Sequence, residues 1–146
     1  MTKVIASGYF NPIHKGHIDY LKAASQLGES LIVIVNNDRQ VRVKGSIPFM
    51  DEGERVKIIE ALSFVDKVFL SIDEDGSVRK TIEKIVGDNN DFDFIFATGA
   101  DRTTENTPEY RKLCEKLNVK MVFGAGGEKI QSSSDLLNQV KNEKHY

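Results

Sequence analysis

The stretch that decides the predicted fold is GYFNPIHKGH, residues 8–17, which has the features of a strand end, a turn and a helix start. Gly8 and Gly16 allow another group to come close to the backbone at the strand end and at the helix start. His14 and His17 lie three residues apart near the helix N-terminus, where free amide groups and the helix dipole favour negative charge. The stretch therefore predicts a strand–turn–helix unit in which both histidines donate hydrogen bonds to a phosphate.

Outward from this stretch, apolar runs alternate along the chain with segments of helical spacing. Most of the runs lack alternating polar residues, which is typical of strands buried on both faces of a parallel sheet. Alternation of strand and helix predicts βαβ crossovers, and a last helix is expected from the serine run 132–134 through Val140. The sequence thus predicts one α/β domain over residues 1–146, a Rossmann-like, doubly wound parallel sheet of five strands at 4–9, 31–35, 67–71, 92–97 and 119–123.

Doubly wound sheets bind their ligands beyond the carboxyl ends of the strands. The loops that follow Tyr9, Val35, Ala97 and Phe123 are therefore the expected place for the chemistry. The dinucleotide fingerprint G-x-G-x-x-G is absent from the first of these loops, which argues against a dehydrogenase.

The composition excludes several classes of protein. The 146 residues include 20 Lys and Arg against 22 Asp and Glu, a formal net charge of −2, which argues against a general binder of nucleic acids or anionic membranes. Cys114 is the single cysteine, so neither an intrachain disulfide nor a cysteine-rich zinc site can form. The N-terminus lacks the features of a signal peptide, and the longest apolar run, 31–35, is far shorter than the roughly 20 residues of a membrane-spanning helix. We therefore expect a cytoplasmic protein.

Two other interpretations of His14 and His17 stay open at this point. Histidines at this spacing can form half of a metal site, but His145 is the only further histidine and Cys114 the only cysteine, so additional ligands are scarce. Both histidines can also be structural, because a short motif is a weak indicator on its own.

The stretch 8–17 and the segment IQSSS at 130–134 together resemble the H-x-G-H nucleotidylyltransferase superfamily, which has the cytidylyltransferase-like fold. The resemblance covers essentially the whole chain. It implies transfer of a nucleotidyl group from a nucleoside triphosphate, with its Mg²⁺, to a phosphate monoester, and release of pyrophosphate. It implies that His14 and His17 contact the triphosphate and stabilise charge on phosphorus. The residues implied to bind nucleotide or phosphate are Gly8, Tyr9, Phe10, Gly16, Ser132, Ser133 and Ser134.

The loop VNNDRQVRVKG after the second predicted strand resembles the corresponding segment of enzymes that act on sugar phosphates and glycerol phosphate. The resemblance implies that Asp38 contacts the acceptor and that Lys44 contacts the phosphates, whereas composition alone favours a solvated lysine. Arg55 matches an arginine that reaches the triphosphate in family members. A surface ion pair with Asp51 or Glu52 is the structural alternative for Arg55.

Two later segments complete the resemblance. ATGADR, residues 97–102, is similar to the loop that borders the nucleotide in sugar-phosphate and polyol-phosphate enzymes, which implies acceptor or base contacts for Asp101 and Arg102. Asp101 can instead be a turn residue, because aspartate is common in turns. Ser132 with Asp135 is close to a helix capping box, whereas a run of three serines suits a phosphate held by hydroxyls and helix-terminal amides.

The resemblance is nearest to the glycerol-phosphate cytidylyltransferases and the heptose-phosphate adenylyltransferases. We therefore expect an enzyme that transfers a nucleoside monophosphate from CTP, or ATP, to a sugar phosphate or polyol phosphate. The alternatives are an adenylyltransferase of the pantetheine-phosphate or pyridine-nucleotide type and a regulatory nucleotide-binding protein without turnover. A homodimer is also implied, and no nucleic acid, membrane or protein-bound metal is expected. The expected catalytic residues are His14, His17, Lys44 and Arg55.

Overall fold

Strands and helices alternate along the chain as the sequence predicts. The structure is a computed structural model that describes residues 1–99 and 108–126. The strands are β1 Thr2–Gly8, β2 Ser30–Val35, β3 Lys67–Leu70, β4 Asp93–Gly99 and β5 Lys120–Ala125, and the helices are α1 Lys15–Ser25, α2 Asp38–Val43, α3 Glu52–Glu60, α4 Arg79–Asp88 and α5 Pro108–Leu117. Each strand begins and ends within two residues of its predicted bounds.

The strands form one parallel sheet in the order β3-β2-β1-β4-β5. Because β2 and β3 extend the sheet on one side of β1 while β4 and β5 extend it on the other, the order reverses between β1 and β4. Such a switch point leaves a crevice at the carboxyl ends of the strands, where doubly wound proteins bind ligands. The predicted fold class is confirmed.

The core has two layers, one on each face of the sheet. Alternate side chains of a strand point to opposite faces, so Ile5 of β1 packs with helices α4 and α5, whereas Val4 and Ala6 pack with α1 and α3. The whole run Leu31–Val35 of β2 is buried, which explains why no polar residue interrupts it. Within residues 1–99 and 108–126, no helix has the length and apolar character needed to span a bilayer.

Helix α2 is the main departure from the prediction, because residues 38–43 were expected to lie in a loop. Asn37 caps this helix by accepting a hydrogen bond from the Gln40 N–H at 2.8 Å, and the Gln40 side chain accepts one from the Asn37 N–H at 2.9 Å. A reciprocal cap of this kind stabilises a short helix whose side chains are mostly polar. The helix predicted from 132–134 through Val140 lies outside the described residues.

Candidate active site

The turn between β1 and α1 is built around the ring of Phe10. Phe10 has φ of +50° and is 1% exposed, so its ring folds back over the end of β1. A Cβ atom at Gly8 would lie 2.8 Å from Cζ of Phe10, so the close approach predicted at this glycine is made by the protein's own ring. The Phe10 ring also meets the His17 ring edge-on, with 5.0 Å between centroids. The turn thus packs the Phe10 ring against the ring of His17.

His14 and His17 cap the N-terminus of α1 reciprocally. Nδ1 of His14 accepts a hydrogen bond from the Gly16 N–H at 3.0 Å, and Nδ1 of His17 accepts one from the His14 N–H at 3.2 Å. The two imidazole rings are stacked, with 3.8 Å between centroids and 23° between planes. This arrangement satisfies two amide groups that helix starts leave without partners, and it fixes both ring orientations.

The capping bonds also fix where the histidines carry their protons. An Nδ1 atom that accepts a hydrogen bond has no proton of its own, so the proton of the neutral His17 ring is on Nε2. Burial, His14 and Lys44 lower the pKa of His17 from 6.5 to about 3. His17 is therefore neutral at physiological pH, with Nε2–H as its hydrogen-bond donor.

Lys44 lies beside the same turn, at the C-terminal end of α2. Its Nζ atom is 4.3 Å from the ring centroid of Tyr9, and its charge is one of the causes of the low pKa of His17. The Tyr9 hydroxyl donates to the carbonyl oxygen of Gly76 at 3.3 Å. The structure thus brings Lys44 close to Tyr9 and His17, and the phosphate contacts implied for these residues stay predictions.

Arg55 is buried, with 1% of the residue exposed, and its guanidinium joins several chain segments. Nη1 donates to the carbonyl oxygens of Tyr9 at 2.7 Å and Asn36 at 2.6 Å, which follow the ends of β1 and β2. Nε donates to the carbonyl oxygen of Met50 at 3.1 Å, and Nη2 to Oδ1 of Asp38 at 2.7 Å. These bonds use four of the five N–H donors that a guanidinium carries.

The structural alternative for Arg55 is therefore wrong, because neither neighbouring carboxylate pairs with it. Asp51 caps α3 by accepting from the Glu54 N–H at 2.7 Å, and Glu52 accepts from the Asp38 N–H at 2.9 Å. In the described structure Arg55 and Asp38 bind each other. Their implied contacts with the triphosphate and the acceptor stay predictions, and the geometry adds a positioning role that the resemblance did not supply.

Tyr20 opens the crevice at the switch point, and the sequence analysis missed it. Pairing of β1 with β4 ends at Ile5 and Phe96, so the next ladder bond would join the Ser7 N–H to the Ala97 carbonyl. The Tyr20 hydroxyl replaces this bond by bonding both groups itself. It accepts from the Ser7 N–H at 3.2 Å and donates to the Ala97 oxygen at 2.6 Å. A tyrosine on the buried side of α1, three residues after His17, is the signal that could have identified it.

The sequence analysis did not identify Asn11 as a site residue either, although Asn11 lies within residues 8–17. It precedes Pro12 through a cis peptide bond and is 7% exposed. Its side chain donates to the Ile47 carbonyl at 2.9 Å and accepts from the Phe49 N–H at 2.7 Å. Asn11 thus fixes the loop 46–50 against the turn that carries the histidines.

The family model described as "Cytidylyltransferase-like" matches residues 5–139. The chain belongs to the cytidylyltransferase-like family. It is accordingly a nucleotidyltransferase, and the predictions that it is an enzyme and that it binds nucleotides are confirmed.

Several curated relatives of this cytidylyltransferase-like chain carry the name FAD synthase. The protein of Archaeoglobus profundus is 44% identical over 143 residues, which cover 96% of this chain and 86% of the relative. That of Ferroglobus placidus is 34% identical over 143 residues, covering 96% and 88%. That of Thermoplasma acidophilum is 34% identical over 113 residues, covering 77% and 74%. These names favour the adenylyltransferase alternative over cytidylyl transfer to a sugar phosphate or polyol phosphate.

Two solved structures share the fold. The lipopolysaccharide core biosynthesis protein from Thermoplasma volcanium superposes with a TM-score of 0.68 and 33% identity, over 85% of this chain and 94% of that one. A bifunctional NMN adenylyltransferase/ADP ribose pyrophosphatase from Francisella tularensis gives a TM-score of 0.62 at 14% identity, over 97% of this chain and 42% of that one. The second likeness supports the fold of the cytidylyltransferase-like chain alone.

Some predicted site residues of the cytidylyltransferase-like chain lie outside the described residues, namely Asp101, Arg102, Ser132, Ser133 and Ser134. Their roles stay predictions. Across the two described ranges, no group of three or more His, Cys, Asp or Glu side chains is placed to hold a metal ion.

Proposed function

We propose that this protein transfers the adenylyl group of ATP to the phosphate of FMN, forming FAD and releasing pyrophosphate. The observation that carries the proposal is the stacked histidine pair that caps the N-terminus of α1 at the carboxyl end of β1. The FAD synthase names of relatives at 34–44% identity support the choice of substrates. FMN is also a polyol phosphate, since its phosphate is esterified to a ribityl chain, so it lies within the acceptor chemistry predicted from sequence.

The reaction is an in-line displacement at the α-phosphorus of ATP. An oxygen of the FMN phosphate forms a bond to this phosphorus while the bond to the bridging β-phosphate oxygen breaks, and pyrophosphate leaves with that electron pair. The attacking phosphate is already ionised near neutral pH, so no side chain has to remove a proton. The protein contributes mainly orientation and stabilisation of charge.

The histidines act as hydrogen-bond donors to the triphosphate oxygens. Each Nδ1 accepts from a backbone amide, so in this proposal the hydrogen bonds to phosphate are made through Nε2. The amide groups and dipole of α1 add to the favourable field for an anion. Lys44, an exposed and flexible cation beside Tyr9, neutralises the phosphates as charge moves toward the leaving group.

The remaining predicted residues complete the site in this proposal. Arg55 and Asp38 hold the ends of β1 and β2 at a fixed separation. The serine run 132–134 binds the triphosphate, while Asp101 and Arg102 contact the acceptor or the base. Mg²⁺ enters as part of the Mg–ATP substrate, bound by the phosphates.

Transfer to a sugar phosphate is the second candidate function. It is supported by the likeness to the Thermoplasma volcanium protein named for lipopolysaccharide core biosynthesis, at 33% identity. FAD synthesis is preferred because the relatives that match 96% of this chain carry that name.

The purified protein should be assayed with ATP or CTP against FMN, glycerol phosphate and phosphorylated sugars, with pyrophosphate release and FAD formation both measured. We expect pyrophosphate and FAD in equal amounts with ATP and FMN. Pyrophosphate release with a sugar phosphate and none with FMN would support the second candidate and overturn the first.

A further inference from the structure

The loop 46–50 has a fixed backbone. Its Ser46 N–H donates to the Val41 carbonyl at 3.0 Å, which ties the loop to α2. Asn11 bonds the Ile47 carbonyl and the Phe49 N–H, and Arg55 bonds the Met50 carbonyl. The loop is therefore held from three directions by groups of the β1–α1 turn and of helices α2 and α3.

Two large apolar side chains of this fixed loop face solvent. Ile47 is 78% exposed and Phe49 is 58% exposed. Single exposed apolar residues need no explanation, but these two lie on one loop whose backbone Asn11 bonds to the turn that carries the histidines. Binding sites for flat organic ligands combine such apolar surface with a few polar groups.

The loop 46–50 lies on the β2 side of the crevice, and this is the side on which we place the acceptor. It follows β2 and α2, on the β2 side of the switch point between β1 and β4. The serine run with its proposed triphosphate role follows β5 in the sequence, and β5 lies on the other side of the switch point. Asp38, implied to contact the acceptor, begins the helix that leads into the loop.

We infer that Ile47 and Phe49 form the platform on which the isoalloxazine ring of FMN lies. This inference rests on the proposed function. An aromatic side chain and a flat tricyclic ring can pack face to face or edge to face, and an aliphatic neighbour widens the apolar contact. The loop thereby selects a flavin over acceptors that consist of a sugar and a phosphate alone.

The test compares the full-length wild type with Phe49→Ala, Ile47→Ala and the double variant. FMN affinity is measured by the change in flavin fluorescence, without ATP, and KM values for FMN and ATP are measured by FAD formation. We expect the double variant to lose about tenfold or more in FMN affinity, a difference of about 1.4 kcal/mol that matches loss of one good apolar contact. The KM for ATP should change by less than about twofold, because the ATP contacts lie elsewhere.

The controls separate packing from general damage. Phe49→Tyr keeps the aromatic ring and should retain FMN affinity. Leu27→Ala removes an exposed apolar side chain between α1 and β2, at the amino ends of the strands and away from the crevice, and should leave FMN affinity unchanged.

Three outcomes would overturn the inference. Unchanged FMN affinity in the double variant would show that the ring lies elsewhere. A higher KM for ATP with normal FMN affinity would place the adenine on this loop. A change in oligomeric state with normal FMN affinity would identify the loop as a contact between two copies of the chain.

The proposed function is judged separately, by the wild type. A wild type that binds FMN through Phe49 but forms no FAD would refute FAD synthesis and retain the platform. A wild type that neither binds FMN nor forms FAD would refute both.

Discussion

The hydroxyl group of Tyr20 lies 2.6 Å from the carbonyl oxygen of Ala97 and joins helix α1 to strand β4 across the switch point of the sheet. Because the same hydroxyl accepts from the Ser7 N–H, it replaces the hydrogen bond that would otherwise close β1 onto β4. The helix that carries the histidines is thereby fixed to both strands that border the crevice.

Removing this hydroxyl should therefore weaken both the fold and the site. In Tyr20→Phe, the Ser7 N–H and the Ala97 oxygen lose a shared partner, and we expect the free energy of unfolding to fall by about 1–3 kcal/mol. We also expect a lower kcat, because α1 is less firmly placed. Urea unfolding and steady-state assays measure the two effects.

Tyr110→Phe is the matched control, since the Tyr110 hydroxyl accepts from the Val78 N–H at 2.9 Å, away from the histidines. It should lose comparable stability and keep its kcat. Equal losses of kcat in both variants would argue against a positioning role for Tyr20.

His17→Ala tests the donor role of the histidine pair. Loss of one well-aimed donor to a developing charge commonly costs about 10²–10³ in turnover, and we expect kcat to fall at least that far. The variant is measured under saturating ATP and FMN. His145→Ala, which removes the third histidine of the sequence, should retain full turnover. Near-normal turnover in His17→Ala would refute the assignment.

The low pKa of His17 predicts a specific dependence of stability on pH. The pKa is about 3 in the folded protein and 6.5 in the reference state, so between these values the unfolded chain binds more protons. Stability contributed by neutral His17 is therefore complete above pH 6.5 and is lost as pH falls toward 3. His17 alone changes the free energy of unfolding by up to about 1.4 kcal/mol per pH unit in this range.

Urea unfolding of wild type and His17→Gln at pH 7, 6 and 5 isolates this effect, because glutamine does not titrate. We expect the stability of the wild type to fall more steeply than that of the variant. Parallel curves for the two proteins would contradict a depressed pKa.

Arg55→Lys should damage the protein even though the charge is kept. A lysine cannot reach the four partners that the planar guanidinium reaches, and breaking a buried pair of this kind costs about 3–5 kcal/mol. The half-buried Arg79, paired with Asp75 and Glu109 near the surface, is the control, and Arg79→Lys should cost less than about 1 kcal/mol.

The stability of Arg55→Lys, measured by urea unfolding, distinguishes positioning from direct contact with the triphosphate. A variant of normal stability with a raised KM for ATP would show that Arg55 acts on the nucleotide itself.

Gly8→Ala tests the requirement for Phe10 at the end of β1. The new Cβ would lie 2.8 Å from Cζ of Phe10 and force the ring away from His17, at a cost of about 1–3 kcal/mol. Gly87→Ala is the control, because a Cβ there has no neighbour within 4 Å and helix α4 should gain up to about 1 kcal/mol. Thermal unfolding of both variants checks the opposite signs. A Gly8→Ala protein of unchanged stability would show that Phe10 relaxes freely.

The strands of the sheet and the histidine pair could be predicted from the sequence, because both depend on local patterns of residues. Buried strands show as unbroken apolar runs, and the histidines at the start of α1 show as a spacing of three residues within one turn. The strand order and the crevice then follow from the rules that govern parallel sheets.

The contacts of Arg55, Tyr20 and Asn11 could not be predicted in the same way, because their partners are distant in sequence. The Arg55 guanidinium binds carbonyl groups that any residue could supply, and an arginine in a polar helix has the appearance of a surface residue. The Tyr20 hydroxyl bonds two strands that are far apart along the chain. Asn11 looks like an ordinary turn residue until the path of the loop 46–50 is known.

Asn11 holds the loop 46–50 through main-chain atoms alone, the Ile47 oxygen and the Phe49 nitrogen. The path of the loop is thus independent of which side chains stand at positions 47 and 49. From the platform inferred above, we expect an exchange of these two side chains to alter acceptor preference and to leave the backbone contacts with Asn11 in place.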